Sequence, residues 1–91
     1  MKALFAAAAL VTAGTVNAGA DCAEHPKDEW MDVFALQKMI VNEYGFAIKM
    51  FKVDDECYEI YGWEMTDSGE EQKVEVYFDT KTGAIVKKEI D

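Results

Sequence analysis

The sequence predicts an α+β fold: a single helix packed on one face of a three- to four-stranded antiparallel β-meander. Three observations carry this. Across residues 33–44 the apolar positions Val33, Leu36, Ile40 and Tyr44, with Met39 beside them, recur at three- and four-residue spacing, the period of a helix with one buried stripe. After Gly45 the period falls to two, in residues 46–52, 57–65 and 72–79, which is the period of strands. The connections between these runs are short and polar, so neighbouring strands must be antiparallel.

The first residues read as a leader. Lys2 supplies a positive start, residues 3–11 are apolar, and residues 12–20 are small and mildly polar, ending Ala18-Gly19-Ala20. This is the pattern of a cleavable signal peptide over 1–20, leaving a domain over 21–91. A membrane anchor needs about 20 apolar residues, and the apolar run breaks up at Thr12. Lipidation is disfavoured because Asp21, not a small residue, precedes Cys22. The expected location is the periplasm or exterior of a bacterium, with no stable membrane insertion once the leader is removed.

Within the domain, Pro26 holds its predecessor extended. Asp32 is the expected helix N-cap, its carboxylate accepting from orphan N–H groups and facing the positive end of the dipole. Met31 then sits before the cap and Leu36 four residues into the helix, the spacing of a hydrophobic staple. Gly45 supplies a left-handed C-cap. The first strand is expected over 46–52, the second over 57–65 and the third over 72–79, with a short fourth strand or extended tail over 84–88. Residues 53–56 form a turn, 66–71 a polar loop in which Gly69 is available for positive φ, and 80–83 a tight turn. Tyr58, Ile60, Val74, Val76 and Phe78, with Ile48 and Ile85, are assigned to the face that takes the helix. Gly62 shares that register and suits close approach of the helix near Tyr44. The opposite face carries Tyr61, Trp63, Tyr77 and Glu75, and Cys57 shares its parity.

A domain of this size has only a marginal core and is usually stapled. Cys22 and Cys57 are the only two cysteines, and in an exported chain an even pair reads as a disulfide. Closing that loop stabilises by about 3.5–4 kcal/mol in the chain-entropy model. The alternative is two unpaired thiols. A zinc site is disfavoured, with no CxxC and His25 the only histidine. The net charge is −9; a nucleic-acid partner is excluded on that ground, since phosphate binding needs a basic patch.

Three segments together resemble the PepSY family of small exported domains similar to peptidase propeptides. They are Trp30 followed by a capped helix ending Tyr44-Gly45-Phe46; Cys57-Tyr58-Glu59-Ile60; and Val74-Glu75-Val76-Tyr77-Phe78-Asp79 with Thr82-Gly83-Ala84-Ile85-Val86. The resemblance covers residues 22–88 and is nearest to stand-alone bacterial forms without an attached peptidase. It implies a helix on an antiparallel sheet and a binding or inhibitory role without catalysis. No catalytic residue transfers from it, and any inhibition of a protease would act in trans.

The residues agree with that absence of catalysis. An enzyme needs a positioned acid, base or nucleophile. His25 is expected to be solvated in a flexible segment, both cysteines are committed to the bridge, and Ser68 is a lone loop serine. Asp54-Asp55-Glu56 offers oxygen ligands for Ca²⁺ but lacks EF-hand spacing and reads as a solvated turn. No cofactor is expected. Tyr61, Trp63 and Tyr77 form a candidate partner-binding face, unless the segment tethered through Cys22 covers them. The expected function is an exported, non-enzymatic binding or regulatory module with a protein partner, a protease or a membrane-bound sensor, in a monomer or weak dimer. The alternative is a small-molecule or metal-ion sensor using the aromatic face or the acidic turn.

Overall fold

A computed structural model of the chain describes residues 19–91. All but the last two residues of the expected leader lie outside the described residues. The helix α1 spans Val33–Met39 and runs on into a wider π-helical stretch, Ile40–Tyr44. Four strands follow: β1 (Ala47–Asp54), β2 (Cys57–Met65), β3 (Glu71–Asp79) and β4 (Ile85–Ile90). They form one antiparallel sheet in the order β1-β2-β3-β4.

The helix begins and ends where its caps stand. The Asp32 carboxylate accepts from the Ala35 N–H at 3.0 Å, satisfying one orphan donor. Gly45 closes the far end at φ 79°, and its N–H reaches the Ile40 carbonyl. That five-residue reach widens the last turn and separates it from the regular helix expected over 33–44.

The helix packs on the face assigned to it. Leu36 and Ile40 join Phe46, Tyr58, Ile60, Val74, Val76 and Phe78 in one buried cluster, with Trp30, Met31, Met39, Tyr44, Ile48 and Phe51 packed around it. Both members of the expected staple thus meet the core. Phe51 enters through a β-bulge between Ile48 and Met50. The bulge flips the strand's parity, so that Phe51 pairs with Ile60 and its ring lies 5.3 Å from Tyr58.

Two sequence expectations are corrected here. Ile85 is paired with Phe78 yet exposed, beside an irregularity in the β3–β4 register. Gly62 does not receive the helix. A Cβ there would lie 2.0 Å from the Ala47 carbonyl oxygen, so its missing side chain accommodates the backbone of β1 at the bulge. The glycine beneath the helix is Gly83. It has φ +77°, and a Cβ would meet Met39, Leu36 and Met31 at 2.9–3.1 Å. The Tyr44 hydroxyl donates to its carbonyl at 2.8 Å.

Candidate functional site

The face turned away from the helix is built from the odd-numbered positions of β2 and β3. Across those strands Cys57 pairs with Asp79, Glu59 with Tyr77, Tyr61 with Glu75 and Trp63 with Lys73. One end of this face is closed and the other is open.

The closed end is held by the Cys22–Cys57 disulfide, with Cα atoms 5.5 Å apart. It sits at the start of β2, as its parity required. The segment leading into Cys22 lies over this end, and the Lys87 ammonium donates to the Gly19 carbonyl at 2.9 Å. Lys87 is the β4 partner of Tyr77. Tyr77 is accordingly 2% exposed and contributes no free surface, unlike Tyr61 and Trp63. Burial, followed by the adjacent carboxylates, pushes its hydroxyl well above the ordinary tyrosine range.

His25 is not solvated and loose, contrary to the sequence reading. Its Nε2 lies 2.9 Å from Asp79 Oδ1, and its carbonyl accepts from the Trp30 indole at 3.0 Å. Asp79 also accepts from the Lys81 and Thr82 N–H groups and the Thr82 hydroxyl. Burial works to raise its pKa, but these donors outweigh it and hold the carboxyl at about 2. The Asp79–Gly83 turn therefore organises two things at once. It anchors the N-terminal segment through His25 and presents Gly83 to the helix. Trp30 completes the anchor, edge-on to Tyr58 with ring centroids 5.3 Å apart, while the Tyr58 hydroxyl donates to the Met31 carbonyl at 3.0 Å.

At the open end, Tyr61 and Trp63 are partly exposed. They line a cleft of about 180 Å³ with Lys49, Met50, Lys73 and Asp91. Lys49 and Lys73 are exposed. The Tyr61 hydroxyl is raised by the charge of Glu59 first and of Glu75 second. Between the two ends lies Glu59, 1% exposed, which composition alone would place in solvent. The only hint in the sequence is its position between Cys57 and Tyr61 on the same face.

Of the acidic residues 54–56, Asp54 ends β1 and pairs with Cys57, and Asp55 and Glu56 form a two-residue hairpin turn with Asp55 in the left-handed region at φ 52°. Among the described residues no group of three or more histidine, cysteine or acidic side chains converges as a metal site. No described helix is long and apolar enough to cross a membrane.

A capped helix laid on one face of an antiparallel meander, with the other face strapped by one disulfide, defines a small α+β module. The chain belongs to the peptidase propeptide and YPEB domain family, whose model matches residues 2–89. No curated protein and no solved structure matches it.

Proposed function

We propose that this protein is an exported, non-enzymatic regulatory module that binds another protein, a periplasmic protease or a membrane-bound sensor, through the Tyr61–Trp63 end of its open face. The observation that carries this reading is the cleft itself. Two aromatic side chains stay partly exposed on the face the helix leaves free, and aromatic residues are enriched where proteins meet. Membership of a family described by peptidase propeptides supports a protease-related partner. Lys49 and Lys73 outnumber Asp91 among the charged residues lining the cleft, in an otherwise acidic chain, which suits a partner segment bearing a carboxylate.

The disposition of reactive groups supports a role without catalysis. Both cysteines are in the bridge, which leaves no thiol nucleophile, and Ser68, the one serine of the chain, shares a hydrogen bond with Thr66. Small-molecule sensing through the same cleft is the weaker reading. A volume of about 180 Å³ falls below the roughly 300–1,000 Å³ typical of drug-sized ligand sites.

Replacing Trp63 by Ala is expected to abolish retention of the partner in a pull-down from periplasm while leaving the melting temperature nearly unchanged. Equal loss of both would make Trp63 a core residue and remove the proposal.

A further inference from the structure

Glu59 and Glu75 are diagonal neighbours on adjacent strands, since Glu59 pairs with Tyr77 and Tyr61 with Glu75. Long side chains meet across such a diagonal. The Glu59 side chain is buried, and the Lys52 ammonium is 3.7 Å from its Oε1. Its Oε2 has no hydrogen-bond partner among the described residues. The Tyr77 hydroxyl cannot serve it, because that proton is donated to Glu75 Oε2. An ionised carboxylate with a buried, orphaned oxygen is costly. A carboxylic acid at the same place has a hydrogen to give, and Glu75, its diagonal neighbour on the same face, carries a carboxylate that can accept it.

The geometry points to Glu59 and Glu75 as a proton-binding site, in which one proton taken from solvent is carried on Glu59 and donated to the Glu75 carboxylate, so that its release sets a second negative charge beside the Tyr61–Trp63 cleft. Only an O–H bond forms or breaks. Burial first, and the hydrogen bond to Glu75 second, raise Glu59 to about 7, and the same hydrogen bond holds Glu75 below the usual carboxylate range.

Charged and titratable groups face the pair from every strand. Lys52, from β1, favours the ionised form of Glu59, and burial outweighs it; Tyr61 comes from β2 and Tyr77 from β3. Lys87 and Glu89, from β4, pair with each other at 3.0 Å. Asp21, in the covering segment, is exposed. Lys52 also lies over the Tyr61 ring, 5.5 Å from its centroid. Ionising Glu59 strengthens the pull on that ammonium at the expense of the ring, which is how the proton reaches the cleft. The site exists whether or not the cleft binds a partner.

The native state holds the Glu59 proton more tightly than the unfolded chain. Its contribution to stability is therefore complete below about 4.5 and is lost as pH rises through about 7. The test is a carbon-13 NMR titration of the glutamate side-chain carboxyls in the intact, disulfide-bonded protein. One resonance, assigned to Glu59 through its own backbone, is expected to titrate with a midpoint near 7, with Glu75 ionised well below it. All glutamates titrating near the ordinary value of about 4.3 would overturn the assignment. The wild-type titration decides without any variant having to fold. Glu59→Gln, which keeps the neutral shape, is expected to remove the fall in melting temperature between pH 5 and pH 8; an unchanged fall would count against the site.

Discussion

The two faces of the sheet are made from alternate residues of the same strands, and they are closed by different physics. On one face Tyr58, Ile60, Val74, Val76 and Phe78 meet the helix in an apolar cluster, held by burial of hydrocarbon at roughly 25 cal/mol per Å². On the other, Cys57, Glu59, Tyr61 and Trp63 meet a covalent strap, a pair of glutamates and solvent. A one-layer sheet of this length has one helix to spend. The second face is closed where the disulfide reaches and left open where it does not. The difference teaches that burial on the second face carries polar and titratable groups, which an apolar core excludes, and that is where regulation can be built.

Breaking the strap tests this division most severely. Reduction of the Cys22–Cys57 bridge, or Cys57→Ser with Cys22→Ser, removes a constraint worth about 3.5–4 kcal/mol. A thermal melt is expected to fall by on the order of 20 °C. Tyr77 and Glu59 should become exposed before the helix face loosens, and hydrogen exchange would show that order. A smaller probe strikes the helix face alone. Gly83→Ala places a methyl group at positive φ against Met39, Leu36 and Met31, and is expected to cost about 1–3 kcal/mol. Between pH 5 and pH 8 its effect on the melting temperature should be the same whether Glu59 is protonated or ionised, because Glu59 lies on the other face and Asp79, in the same turn as Gly83, stays ionised throughout. A pH-dependent loss would mean that the two faces are not separable.

The helix face was legible in the sequence because a period and a cap are local signals. Asp32, Gly45 and the alternation of β2 and β3 each declare their role within a few residues. What escaped depends on partners far along the chain. The bulge in β1 was signalled only by the adjacent apolar pair Met50-Phe51, and it decided both the burial of Phe51 and the contact of Gly62 with Ala47. The His25–Asp79 contact spans 54 residues and leaves no local trace. On the open face, Tyr61 and Trp63 were placed correctly by parity, but parity says nothing of depth. It could not show that Tyr77 lies beneath the strap or that Glu59 is buried beside Glu75.

The helix offers a rival surface, since Phe34 and Val41 are exposed on its outer side along a groove with Gln37 and Lys38. Photo-crosslinking from position 63 and, separately, from position 34 of the disulfide-bonded protein distinguishes the two most directly. Adducts with one partner protein are expected from position 63 and none from position 34. Adducts confined to position 34 would contradict the assignment of function to the open face.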